Sequence, residues 1–67
     1  MFQITLEAAR VNARKTQKQV AEYMGKNVST IQKWEKGLTV PDAIEFEQLC
    51  EYYNAPRSAI FLSRNQT

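Results

Sequence analysis

Apolar side chains recur at every third or fourth position through most of this chain, which is the spacing of helices that bury one face. Residues suited to cap or end a helix separate the segments that have this spacing. The predicted helices run from Thr5 to about Ala13 or Arg14, from Gln17 to Gly25, from Asn27 to Gly37, from Pro41 to Asn54, and from Pro56 to about Leu62. The pattern therefore predicts an all-α fold, a compact five-helix bundle.

The inward faces of these helices supply a single core. Their apolar residues are Leu6, Ala9 and Ala13, then Val20, Ala21 and Met24, then Ile31 and Trp34, then Phe46, Leu49, Cys50 and Tyr53, and last Ile60, Phe61 and Leu62. One core of this extent predicts one domain over residues 1–67, with its structured part at about 4–62 and a frayed tail at 63–67. Ile44 falls on an outward face, where it is either tolerated at the surface or part of an interface.

The second and third predicted helices follow each other closely and are joined at a glycine. Thr16 can cap the first of them, with Gln19 three residues later to complete a reciprocal capping box. Gly25 can adopt the left-handed conformation that ends that helix, and Asn27 can cap the next one. Two short helices hinged in this way are typical of a DNA-reading helix-turn-helix.

The third predicted helix has a polar face opposite its apolar one. Its outward positions carry hydroxyl, amide and ammonium groups, which belong to Ser29, Gln32, Lys33 and Lys36. Such groups can reach base edges in a major groove, and the cations among them can reach phosphate oxygens. This face is the candidate reading surface.

Charge is distributed unevenly along the chain, although the net charge is only +2. Residues 1–37 carry seven basic and three acidic side chains, whereas residues 38–67 carry two basic and four acidic ones. A polyanion is therefore expected to approach the first half of the chain. Three glutamates of the fourth helix, Glu45, Glu47 and Glu51, would repel phosphate and are expected to point away from DNA.

Composition excludes several classes of protein. The 67 residues suffice for one small domain, and 43% of them are hydrophobic, which is enough for a helical core. No run of about 18 apolar residues and no signal-peptide pattern is present, so a cytoplasmic protein with no membrane partner is expected. With one cysteine and no histidine, neither a metal site nor a cofactor is expected. The sequence also has no nucleophile beside a base and no phosphate-binding loop, so an enzyme with a small-molecule substrate is not expected.

Seven residues around the predicted turn match the spacing of a known motif. The pattern Q-x-x-x-A-x-x-x-G, followed by I-x-x-W-E-x-G, is fitted by Gln17, Ala21, Gly25, Ile31, Trp34, Glu35 and Gly37. Through these residues the chain resembles the phage repressor and Cro class of helix-turn-helix proteins, also called the lambda-repressor-like or Xre family. The resemblance extends from about Leu6 to about Leu62. The resemblance implies a five-helix bundle that binds operator DNA, usually as a homodimer, and regulates transcription.

The resemblance, together with the charge pattern, also implies roles for individual residues. The base-reading positions are Val28, Ser29, Gln32 and Lys33. Contacts with the DNA backbone are expected from Gln17, Lys18, Lys26, Asn27, Thr30 and Lys36. Arg10 and Glu35 match a pair that joins the first helix to the third by a structural salt bridge.

The chain departs from the family pattern at Lys26 and Val28. Many relatives have a small apolar residue at the first of these positions and a polar or basic residue at the second. Two interpretations remain open. Either Val28 contacts a base, or Val28 packs inward and Lys26 contacts the DNA backbone.

Two functions from different classes fit these observations. The first is a sequence-specific double-stranded DNA-binding transcriptional regulator, a phage or prophage repressor or Cro-like protein that reads an operator half-site. The alternative is an antitoxin or adaptor whose main role is binding another protein. The sequence leaves open whether the protein is Cro-like in size or the DNA-binding half of a larger repressor.

Overall fold

Four α-helices make up most of the described structure. The computed structural model describes residues 3–62. Its helices, numbered in chain order, are α1, Leu6–Asn12; α2, Gln17–Met24; α3, Val28–Lys36; and α4, Ala43–Tyr53. None of these helices is long and apolar enough to cross a membrane.

Helices α2 and α3 begin and end at the residues that the sequence predicts. At the start of α2, Thr16 Oγ1 accepts from the Gln19 N–H at 3.1 Å, and Gln19 Oε1 accepts from the Thr16 N–H at 2.8 Å. Gly25 and Gly37 end α2 and α3 with φ of 67° and 76°, in the left-handed region that glycine adopts without steric cost. Asn54 ends α4 in the same conformation, with φ of 56°. The predicted extents of these helices are confirmed to within two residues.

The prediction of a fifth helix is wrong. After Pro56 the chain forms one turn of 3-10 helix, Arg57–Ala59, and then the two-residue strand β2, Ile60–Phe61. This strand pairs in parallel with β1, Ile4–Thr5, so that Ile4 lies opposite Ile60. A short run of apolar residues fits a buried strand as well as a helix, and here β1 supplies the hydrogen-bonding partner. The all-α class holds for the bulk of the fold, with four α-helices and one short strand pair in residues 3–62.

The core lies where the four helices and β2 meet. Its buried residues are Leu6, Ala9, Val20, Ala21, Ile31, Trp34, Leu49, Cys50, Tyr53 and Ile60. All ten were predicted to face inward, and the nine that lie on helices confirm the helical periodicity as a guide to the core. Phe46 and Leu62 are only partly buried and pack against its edge. The predicted tail, 63–67, lies outside the described residues.

Candidate nucleic-acid interface

The orientation of α3 is set by its buried face. Ile31 and Trp34 are 1% and 6% exposed, so both belong to the core. Trp34 is therefore a packing residue and is not available to stack on a base. The side chains on the opposite face are all exposed, and they are Ser29, Gln32, Lys33 and Lys36. The helix thus presents to solvent the polar face that the sequence indicated.

The first turn of α3 is partly a packing surface. Asn27 lies at the N-cap position with extended backbone, but its side chain makes no capping hydrogen bond. That part of the prediction is wrong, and the exposed Asn27 amide remains available to a ligand. Val28 is half-buried and packs against the core, as the inward alternative expects. Thr30 is also half-buried, and its backbone N–H donates to the Asn27 carbonyl oxygen at 3.0 Å.

An ion pair between Arg10 and Glu35 joins α1 to α3. Nε of Arg10 lies 2.7 Å from Oε2 of Glu35, and Nη2 lies 3.3 Å from Oε1, so the contact is bidentate. The two side chains are 13% and 5% exposed, respectively. Nη1 of Arg10 also donates to the Lys15 carbonyl oxygen at 2.9 Å, which holds the loop between α1 and α2. The hydrogen bond with Glu35 raises the pKa of Arg10 further above its already high value.

Gln17, the first residue of α2, extends this pair to the polar face of α3. Its Nε2 donates to Oε1 of Glu35 at 2.9 Å, and its Oε1 lies 3.5 Å from Nε2 of Gln32. Gln17 is half-buried, whereas Gln32 is exposed. The sequence suggested a phosphate contact for Gln17 and gave no signal for its bond to Glu35, because the two residues are 18 apart in the chain.

The acidic face of α4 reaches the turn between α2 and α3. Nζ of Lys26, in that turn, lies 2.9 Å from Oε2 of Glu45. Oε1 of the same carboxylate accepts from the Asp42 N–H at 3.0 Å as part of the capping box of α4. Glu45 therefore lies against the turn that leads into α3, while the expectation that the glutamates of α4 point away from DNA stays a prediction. Hydrogen bonding with Glu45 raises the pKa of Lys26 and keeps its charge compensated.

Acid is expected to weaken the contact between Glu45 and Lys26. Hydrogen bonds from the Asp42 N–H and from Lys26 lower the pKa of Glu45. The stabilisation that depends on its charge is complete above the unfolded pKa of about 4.3 and is lost as pH falls through the lower folded value. In thermal denaturation followed by circular dichroism, the Tm of Glu45→Gln should fall less than that of the wild type between about pH 5 and pH 3.

The matched control for this measurement is Glu47→Gln. Glu47 is exposed on the same helix and forms no ion pair within residues 3–62. The Tm of the Glu47→Gln variant should follow that of the wild type over the whole pH range. An identical acid response of Glu45→Gln and the wild type would contradict a stabilising role for the Glu45 charge.

A second cation, the ammonium group of Lys15, contacts an aromatic ring of α4. Nζ of Lys15 lies 4.8 Å from the centroid of the Tyr52 ring, within the range of a cation–π contact. That ring stacks on Tyr23, with centroids 4.0 Å apart. Within residues 3–62, the basic side chains near α2 and α3 that form neither an ion pair nor a cation–π contact are Arg14, Lys18, Lys33 and Lys36. These four are the exposed cations that a phosphate backbone can approach.

The buried thiol belongs to the core and not to a reactive site. Cys50 is 6% exposed, and burial raises the pKa of its thiol. A protonated, buried thiol is a poor nucleophile. Within the described residues, no group of three or more histidine, cysteine, aspartate or glutamate side chains is placed to hold a metal ion.

Comparison with known proteins agrees with this geometry at the level of the family. A helix-turn-helix family model matches residues 6–60, from the start of α1 to β2. Neither the curated proteins nor the solved structures give a match. The matched family is a DNA-binding regulatory domain and not a catalytic one. The chain therefore belongs to the helix-turn-helix family of the Xre and lambda-repressor-like type and is a DNA-binding transcription regulator.

Proposed function

We propose that this regulator is a phage- or prophage-type repressor or Cro-like protein that reads an operator half-site through the major groove. The observation that carries the proposal is the two-sided character of α3. One face is anchored in the core by Ile31 and Trp34, while Ser29, Gln32 and Lys33 are exposed on the other. A major groove admits one α-helix, and these polar groups are of the kind that bond base edges.

Base reading is assigned to three exposed side chains of α3. The Lys33 ammonium is suited to the O6 and N7 acceptors of guanine, and the Ser29 hydroxyl can donate or accept. Gln32 carries an amide, which can do both at once. Val28, the fourth base-reading candidate, is assigned to first-turn packing because it is half-buried against the core.

Contacts with the DNA backbone are assigned to the groups that flank this face. Lys18 and Lys36 are exposed and make no ion pair within residues 3–62, so their charges are available to phosphates. The Asn27 amide, the Thr30 hydroxyl and the backbone N–H of Gln17 at the start of α2 are further donors near the same groove. Lys26 is assigned no phosphate contact, because its Nζ is 2.9 Å from a Glu45 carboxylate oxygen.

The operator is proposed to be two-fold symmetric and bound by a homodimer. One reader helix contacts few base pairs, whereas a dimer adds a second half-site about one helical turn, roughly 34–36 Å, away. Ile44 and Leu38 are 71% and 55% exposed, and they offer apolar surface for such an association. The same exposed residues would serve the alternative function, an antitoxin or adaptor that binds another protein.

The test of this function is selection of random duplex DNA by the purified protein, followed by titration of the selected sequences at two salt concentrations. A two-fold symmetric consensus with salt-sensitive affinity is the expected result. Salt-sensitive binding without an enriched sequence would contradict operator reading. That result would favour the alternative function, an antitoxin or adaptor that binds another protein.

Two lysine substitutions should separate base reading from backbone contact. Lys33→Ala is expected to relax the preference at one base pair, with a loss of discrimination of about 1–3 kcal/mol. Lys18→Ala is expected to weaken binding to all sequences alike. The measurement is titration of both variants against a panel of singly mutated operators, and the same profile for both would refute the assignment.

A further inference from the structure

We infer that Glu35 sets, through Gln17, the direction in which the Gln32 amide faces DNA, so that Gln32 selects adenine. The inference rests on the proposed function, because it concerns the base that the same face of α3 reads. It makes Gln17 a positioning residue for Gln32, in addition to any contact that its backbone N–H makes with phosphate.

The direction of each amide follows from the chemistry of the carboxylate. An ionised glutamate only accepts hydrogen bonds, so the Gln17 group that lies 2.9 Å from Glu35 Oε1 must be its NH₂. The reverse orientation would set a carbonyl oxygen against a carboxylate oxygen. Arg10 holds the carboxylate in place through its bidentate contact, and Glu35 is only 5% exposed. The orientation of the Gln17 amide is therefore determined by a fixed charge.

The orientation of the Gln17 amide in turn determines which end of the Gln32 amide faces it. With its NH₂ on Glu35, Gln17 turns its oxygen toward the Nε2 of Gln32, at 3.5 Å. This contact is long, so it directs the Gln32 amide without immobilising it. Val28, half-buried against the core, carries no polar group that competes for the Gln17 oxygen. Gln32 is left with its carbonyl oxygen and one N–H for the groove.

Adenine matches this arrangement and guanine does not. In the major groove adenine presents the N6 amino donor beside the N7 acceptor, which suits an outward carbonyl oxygen with an adjacent N–H. Guanine presents two acceptors, O6 and N7, so the Gln32 oxygen would face the O6 oxygen without a hydrogen atom between them. The relay from Glu35 therefore favours adenine over guanine at the base pair that Gln32 contacts.

The test measures base preference at that single base pair. Gln32→Ala first identifies the base pair, as the one whose preference it relaxes on a panel of mutated operators. Wild-type protein should prefer adenine to guanine there by about tenfold or more, the range of a good bidentate contact. Gln17→Met keeps the side-chain length but removes both amide contacts, and should reduce the preference to within about threefold.

The matched control is Lys18→Met, the neighbouring position on α2. It should lower affinity for every operator of the panel and leave the adenine preference unchanged. Folding of each variant is checked by its thermal transition, and Gln17→Met leaves both Arg10 contacts of Glu35 in place. Gln17→Asn, one methylene shorter, is the second variant. Its amide cannot bridge Glu35 and Gln32, so it should lose the preference as well.

Several results would overturn the inference. The adenine preference could survive in a folded Gln17→Met, or this variant could weaken all operators equally, as a plain phosphate contact would. Sequence-specific binding in which Gln32→Ala changes no preference would also overturn it while leaving the proposed function intact. Absence of any sequence preference in the wild type is distinguishable from these results, because it removes the proposed function itself.

Discussion

Arg10→Met is expected to remove most of the folded population and, with it, DNA binding. The substitution leaves Glu35, which is 5% exposed, with Gln17 as its remaining side-chain donor within residues 3–62. Breaking a buried ion pair from one side typically costs about 3–5 kcal/mol. A domain of this length has a total unfolding free energy of roughly 3–10 kcal/mol, at about 0.05–0.15 kcal/mol per residue. The loss is therefore comparable with the whole stability, and urea denaturation followed by circular dichroism measures it.

Two companion variants separate the stranded charge from the loss of a side chain. Arg14→Met removes an exposed arginine that forms no ion pair within residues 3–62, and its unfolding free energy should stay near that of the wild type. Arg10→Met combined with Glu35→Met removes both charges, and it should recover much of the lost stability. A complete thermal transition in Arg10→Met together with lost DNA binding would contradict this account, because it would place the role of Arg10 in the interface.

The helices could be predicted because their causes are local. Thr16 and Gln19 cap α2 through bonds that span three residues, and Gly25 ends it by its own conformation. The end of the chain could not be predicted in the same way. Residues 60–61 form a strand only because Ile4–Thr5 lies beside them, and that pairing joins positions more than fifty residues apart.

The exposed polar face of α3 could be predicted from the sequence, whereas the contacts that other helices make beside it could not. The exposure of Gln32 and Lys33 follows from the helical period once Ile31 and Trp34 are placed inside. The partners of Gln17 and Lys26 depend instead on how separate helices lie against each other. Glu45 looked like part of a solvated acidic face, yet it compensates a cation in the turn. Periodicity shows which face of a helix is polar, but it does not show which neighbour that face meets.

The second large effect is expected in the salt dependence of operator binding. Near α2 and α3, the exposed cations that neither form an ion pair within residues 3–62 nor are assigned to base reading are Arg14, Lys18 and Lys36, which would provide about six cations in a homodimer. Each phosphate neutralised contributes about −0.9 to the slope of log affinity against log salt, so the slope should be about −5. Affinity should therefore fall by about three powers of ten between about 50 and 200 mM salt.

Substitutions at two lysines should show which cations contribute to this slope. Lys18→Gln removes one phosphate contact from each protomer and should make the slope shallower by about 2. Lys26→Gln should leave it unchanged, because Glu45 already compensates that charge at 2.9 Å. Glu45→Gln releases Lys26 and should make the slope steeper by up to about 2, with tighter binding to all sequences at low salt. A shallower slope for Lys26→Gln, equal to that of Lys18→Gln, would instead mean that Lys26 leaves Glu45 for a phosphate when DNA binds.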